Sequence, residues 1–129
     1  MTDNATEVIV GVQQTIAAYS RFLDGRDMAR CAALFTPDAS MTVMGQVHEG
    51  DAAIRAWLDS LASSPPGIHM TSNTLVEVLG ADEAAATSDV AYIKRDEAGW
   101  KVLVAGQYVD RLTRGPDGWQ FSSRVINLS

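Results

Sequence analysis

The chain has 129 residues, 47% of them hydrophobic and 20% charged, with a formal net charge of −6. That is enough for one domain, residues 1–129, whose core needs neither a disulfide nor a structural metal. The basic residues are scattered, which argues against nucleic acid or an anionic membrane as partner and leaves a small molecule, another protein, or both. The single cysteine, Cys31 in "ARCAALF", lies among apolar neighbours and excludes an internal disulfide, which favours a reducing compartment. The opening "MTDNATEVIVGV" lacks the basic and apolar regions of a secretion signal. No apolar run approaches the ~20 residues that span a bilayer. A soluble, cytoplasmic protein is expected.

In chain order, Ile9, Val12, Ile16, Tyr19 and Leu23 recur at three- and four-residue steps, predicting one long helix with an apolar stripe. "DGRD" should end it, with Gly25 as a left-handed cap and Asp27 capping a short helix, "MARCAALF". "TPDA" reads as a turn, "SMTVMG" as a short strand, and "GQVHEG" as an exposed turn in which His48 is inert. Asp51 should cap a third helix with Ile54, Trp57, Leu58 and Leu61 on one face, and "SSPPG" should stop it. The period then changes. "IHMTSNTLVEVLG", "EAAATSDVAYIKRD", "WKVLVAGQYVDRLTR" and "GWQFSSRVINL" read as four strands, separated by the turn sequences "GADE", "DEAG" and "RGPDG". Such short connections imply antiparallel neighbours. Three helices followed by a meander predict an α+β fold with the helices on one face of a curved sheet and a ligand-sized cavity at one end.

The segments "YSRFLDGRDMARCAALFTPDAS", "GDAAIRAWL", "HMTSN" and "GQYVDRLTRGPDGWQFSSR" resemble the nuclear-transport-factor-2-like superfamily, and within it the SnoaL-like group. The resemblance runs from about Val8 to Val125. It implies a cone-shaped fold, with three N-terminal helices packed on a strongly curved, mostly antiparallel sheet. Within that group the chain is similar to the branch of scytalone dehydratase, bile acid 7α-dehydratase and hexachlorocyclohexane dehydrochlorinase. Those lyases pair an aspartate near the end of the first helix with a histidine opening the first long strand, and Asp24 and His69 stand at those places. Tyr19, Asp89 and Arg124 match a tyrosine, an aspartate and an arginine of the bile acid enzyme. Two departures are evident. "SMTVMG" lacks the base carboxylate of ketosteroid isomerases. "SDVAYIKRD" lacks the second histidine of scytalone dehydratase, leaving its task to Asp89, Tyr92, water, or nothing.

Elimination of water beside an activated C–H bond needs a base for the carbon proton and an acid for the departing hydroxyl. Imidazole suits the first task, and a carboxylate on its other nitrogen selects the tautomer and steadies the imidazolium. The resemblance thus implies His69 as base and Asp24 as its partner. Tyr19 could donate to an oxygen of the substrate, Arg124 could bind an anionic group or enolate, and Asp89 could act as an acid if buried. Tyr19 and Asp24 lie about 140° apart on a straight helix, so sharing a cavity should require fraying near Leu23. Each residue also has a structural reading: His69 and Arg124 as ordinary strand residues, Tyr19 as core, Asp89 as solvated. Asp110 shares a strand face with Tyr108 and Leu112 in "YVDRL" and reads as a hydrogen-bonded structural aspartate; its match to the protonated aspartic acid of ketosteroid isomerases implies, as the alternative, a neutral donor in an apolar site. Tyr108, Asp110, Trp57, Asn73 and Tyr92 are expected to contact substrate, while Trp100, Trp119 and the methionines read as core or pocket lining. Two distant histidines and one cysteine do not make a zinc site, and no glycine-rich loop follows a strand. Chemistry without a metal or cofactor is expected.

The sequence therefore suggests a cofactor-independent lyase, a dehydratase of a hydrophobic alicyclic, polyketide or steroid-like hydroxy compound. The rivals are an isomerase, cyclase or epoxide hydrolase in the same pocket, and a binding or assembly module without turnover. A buried Asp89–Arg124 or Asp110–Arg124 pair would favour epoxide hydrolysis; a pocket filled by Trp and Met side chains would favour the module. A homo-oligomer, dimer or trimer, is expected from the exposed sheet surface.

Overall fold

The computed structural model describes residues 4–129. The first three residues, on which the reading of the leader in part rests, lie outside them. Helix α1 (Asn4–Asp24) is followed by α2 (Met28–Ala32), β1 (Phe35–Val43), β2 (Gln46–Glu49) and α3 (Asp51–Ser60) with a 3-10 turn at Leu61–Ser63. Then come β3 (Ile68–Val78), β4 (Glu83–Asp96), β5 (Gly99–Gly115) and β6 (Gly118–Leu128). The expected α+β architecture is present, as one mixed six-stranded curved sheet in the order β2-β1-β6-β5-β4-β3. Strands β3 to β6 form the antiparallel meander. Strand β1 runs parallel to β6, and β2 adds antiparallel to β1 at the edge.

Four local expectations are corrected. "TPDA" belongs to β1, which is irregular between Phe35 and Ser40, where Pro37 can donate no ladder bond. His48 is a residue of β2, paired with Met41, and its ring stands 5.9 Å from that of Trp57. Gly50 caps α3 with φ 87°, and Asp51 is the first helical residue, where its charge suits the positive end of the helix dipole. At the end of α1 the left-handed residue is Arg26 (φ 61°) rather than Gly25. The Arg26 N–H donates to Leu23 O (3.1 Å) and the Asp27 N–H to Phe22 O (2.9 Å), the paired bonds of a Schellman cap. Asp27 caps α2 as expected, accepting from the Arg30 N–H.

The stripe of α1 buries Val8, Val12, Ile16, Tyr19 and Leu23, with Val8 rather than Ile9 as its first core residue. It lies over the inward faces of the meander, where Ala84, Ala86, Tyr108, Leu112 and Phe121 alternate with outward residues. Two polar residues on the buried face of α1 find partners: Thr15 Oγ1 donates to Trp119 O (2.9 Å), and Ser20 Oγ meets Thr71 Oγ1 (3.2 Å). These bonds fix the axial position of α1, and so of Asp24 at its end.

Candidate active site

The Schellman cap keeps α1 helical through Asp24, so its carboxylate leaves the helix end at a set height over the start of β3. One oxygen, Oδ2, accepts the His69 backbone N–H (2.9 Å); the other, Oδ1, accepts from His69 Nδ1 (2.6 Å). A carboxylate at a helix C-terminus opposes the macrodipole by ~0.3–1 kcal/mol. Hydrogen bonds to a charged group are worth ~1.5–3 kcal/mol each, so two of them outweigh that conflict. In the neutral imidazole, with Nδ1 donating to Asp24, Nε2 carries no proton and can accept one. Both side chains are 21% exposed.

The pair stands on the wall of a cavity of about 230 Å³. Tyr19 and Tyr108 line its depth, Trp57 and Leu61 its α3 side, and Val90 and Ile126 its sheet side. Tyr19 and Asp24 both reach it from an intact helix, because the cavity is wide enough to span the angle between them; the expected fraying is absent. Their tasks would differ with depth. The ring of Tyr19 is buried edge-on to Tyr108 at 5.9 Å. Burial raises the Tyr19 phenol well above its ordinary range and pushes Tyr108 up to about 12, so both are neutral donors at neutral pH. Tyr92, opposite His69 in the ladder, lays its ring 4.6 Å from the imidazole, and its hydroxyl donates to Pro65 O (2.5 Å).

Other expected site residues lie elsewhere. Arg124 and Asp110 form a bidentate pair, Nε to Oδ1 at 2.8 Å and Nη2 to Oδ2 at 3.0 Å, both with no exposed side-chain surface. The guanidinium is enclosed by the rings of Tyr108 (3.7 Å), Tyr19 (4.3 Å) and Phe121 (4.4 Å). Burial works against its charge, but Asp110 more than compensates and holds it protonated. Neither residue lines the cavity, so Arg124 is not placed to bind a substrate anion, and Asp110, with both oxygens occupied, is no donor to substrate. Asp89 and Asn73 sit on the opposite face of the sheet. There Asp89 accepts from Asn73 Nδ2 (2.7 Å) and Gln107 Nε2 (3.4 Å), while its neighbours Val90 and Tyr92 alternate towards the cavity. Asn73 has φ 53° within the register shift of β3. Neither is available for the roles expected of it.

One residue at the mouth had gone unnoticed. Arg26 lines the cavity, and its guanidinium donates to Leu61 O and, over 2.8 Å, to Ser64 O. Its sequence signal, an arginine after the glycine of "DGRD", is too common to have singled it out. Among the described residues no group of three or more His, Cys, Asp or Glu side chains is placed to hold a metal. None of the described helices is long and apolar enough to cross a membrane.

Helices over one face of a curved sheet, with an Asp–His pair at an apolar cavity, define a cone-shaped α+β domain built around a pocket of small-molecule size. The chain belongs to the SnoaL-like family, whose domain model matches residues 4–125. It is 32% identical over 120 residues to the uncharacterized protein Rv2910c of Mycobacterium tuberculosis, covering 88% of this chain and 80% of that one. Among solved structures, Rv3472, a protein of unknown function from Mycobacterium tuberculosis, is 30% identical with a TM-score of 0.91, covering 98% of this chain and 75% of that one. A candidate scytalone dehydratase from Novosphingobium aromaticivorans, 23% identical with a TM-score of 0.88 over 100% and 89% of the two chains, shares the fold.

Proposed function

We propose that the protein is a cofactor-independent lyase that dehydrates a small, neutral hydroxy-carbonyl compound. The observation that carries this reading is the 2.6 Å contact between His69 Nδ1 and Asp24 on the wall of an apolar cavity. Nε2 of His69 removes the proton beside the substrate carbonyl, and negative charge moves to the carbonyl oxygen. The neutral phenols of Tyr19 and Tyr108 are the donors for that oxygen. As the double bond forms, the hydroxyl leaves and takes the proton from the His69 imidazolium, so water departs and the neutral base is restored.

Charge and volume narrow the substrate. Of the two arginines near the pocket, Arg124 is neutralised by Asp110 and does not line the cavity. Arg26 keeps its charge but stands at the mouth with donors on two carbonyls, so the cavity interior offers an anionic substrate no arginine. A cavity of ~150 Å³ holds benzene; one of about 230 Å³ suits one or two rings and is too small to enclose a steroid. Epoxide hydrolysis is the second reading, favoured by the buried Asp110–Arg124 pair. It ranks lower because neither residue lines the cavity, where a carboxylate would have to activate water. A binding module without turnover is disfavoured by a lining with one tryptophan and no methionine.

The test is turnover of a panel of neutral cyclic hydroxy-ketones. His69→Gln should lose at least ~100-fold in kcat with an unchanged circular dichroism spectrum. Asp24→Asn should lower kcat more than it alters KM, because it disturbs the tautomer of a base that acts in the transition state. A His69→Gln protein with full turnover sinks the mechanism. The reading includes a homo-oligomer joined through the outer sheet face, where Met70 (55%), Leu75 (75%) and Val109 (41%) are exposed. Sedimentation showing a monomer at micromolar concentration removes that part.

A further inference from the structure

A ring of contacts runs around the cavity mouth. Asp24 holds His69, and the His69 ring lies 4.6 Å from Tyr92. The Tyr92 hydroxyl donates to Pro65 O, and the carbonyl of the preceding residue, Ser64, accepts from Arg26 at 2.8 Å. Arg26 is two residues from Asp24, which closes the ring. The segment from Leu61 to Gly67 forms one wall of the cavity through Leu61, Ser64 and Gly67, yet none of its residues is buried. Leu61 packs its side chain against the core, and beyond it the attachment of the segment to the rest of the fold is polar and made at a few points. Arg26 donates to Leu61 O and Ser64 O, and Tyr92 to Pro65 O. At its far end the backbone runs so close to β4 that a Cβ at Gly67 would stand 2.5 Å from Ile93 O and 2.7 Å from the Tyr92 ring. Pro65 and Pro66 stiffen the middle.

From this we infer that Leu61–Gly67 is a strap that opens to admit ligand, with Arg26 and Tyr92 as its two clips and as positioning residues for His69. Each clip reaches the dyad by a second route. Arg26 occupies the left-handed position of the cap that directs Asp24, and Tyr92 packs against the imidazole. Closure of the strap therefore brings the dyad to its working geometry, and an open strap leaves the imidazole less constrained. Tyr92, which sequence marked as a substrate contact, acts here through His69. The consequence for chemistry rests on the dyad being catalytic; the strap and its coupling to the dyad do not.

Two variants test this without a substrate. Arg26→Gly removes one clip and places at φ 61° the residue that most readily adopts it. Tyr92→Phe removes the hydroxyl and keeps the ring on His69. In each, native-state hydrogen exchange of the amides from Leu61 to Ser64 and of Gly67 should quicken at least 10-fold, with the amides of β4 and β5 unchanged. The proton on His69 Nδ1, observed by NMR, should be sharp in the parent protein and broadened or lost in both variants. Unchanged exchange in the strap, or equal acceleration throughout the sheet, overturns the strap. Faster exchange with an unaltered Nδ1 proton overturns its coupling to the dyad. Loss of turnover in His69→Gln is read separately, so the catalytic reading and the strap can fail independently.

Discussion

At the scale of single residues, two carboxylates on this chain meet opposite fates. Asp24 ends a helix beside a cavity and accepts from His69 twice, from the backbone N–H with one oxygen and from ring Nδ1 with the other. Asp110 is sealed between α1 and the sheet, and its two oxygens serve only Arg124. A buried pair of this kind adds little net stability, because desolvation offsets most of the attraction, but it is costly to break. Asp110→Ala leaves a guanidinium inside an aromatic box with no counter-charge, and Nη1 already lacks a partner there. We expect a loss of ~3–5 kcal/mol in denaturant unfolding. Against a typical total of ~5–15 kcal/mol that loss brings the fold close to its limit. Asp110→Asn, which keeps an acceptor, should lose less; equal stability for Asp110→Ala and the parent would show that the pair is not closed off from water.

At the scale of elements, the seating of α1 on β6 depends on a glycine where helix propensity disfavours one. Gly11 faces Trp119, and a Cβ there would stand 2.5 Å from Trp119 Cδ1. The indole is 8% exposed, and the carbonyl of the same residue holds Thr15, so neither partner can easily withdraw. Gly11→Ala gains ~1 kcal/mol of helix propensity and incurs ~1–3 kcal/mol of overpacking. The second term is the larger, and the variant should be less stable despite its better helix former. A raised unfolding midpoint in urea would mean that the Trp119 ring is free to move aside.

At the scale of the whole molecule, the core holds weak acids that are comfortable only when neutral. Burial pushes Cys31 up to about 12 from an ordinary 9.0 and Tyr108 up to about 12 from 10.0, and raises Tyr19 well above its usual range. The unfolded chain releases these protons first. The stabilisation is therefore complete below about pH 9 and is lost as pH climbs towards 12. Alkaline unfolding should be cooperative in that interval, with two of the three tyrosines ionising as secondary structure is lost. Ultraviolet difference absorbance and circular dichroism should follow one curve; tyrosinate appearing for Tyr19 and Tyr108 in a folded protein would show that water reaches the cavity floor.

The sequence by itself determined the elements whose signals are local. Strands β4 and β6 lie over the residues where alternation and flanking turns placed them, β3 and β5 agree to within two residues, and the stripe of α1 differs only in Val8 for Ile9. Side chains two or four residues apart share a face of a strand or helix, so burial writes a period into the chain that needs no tertiary knowledge to read. Asp24 and His69 were legible as a pair only through the family resemblance, being 45 residues apart. The tertiary structure alone decided what depends on distant partners. The first half of β1, read as a turn, and the short β2 carry weak local signals and exist because β6 offers an edge beyond the meander. Whether Arg124 would bind an anion or pair with Asp89 or Asp110 was open in the sequence, and β5 decides it by bringing Asp110 beside it in register. Asp89 looked like a candidate acid until β4 turned Ser88, Val90 and Tyr92 inward and left it on the far face. Arg26 gained a role from two carbonyls that lie 35 and 38 residues away. Period is a local property, whereas charge pairing, facing and access to a cavity are set by chain segments that meet only when the sheet closes against its helices.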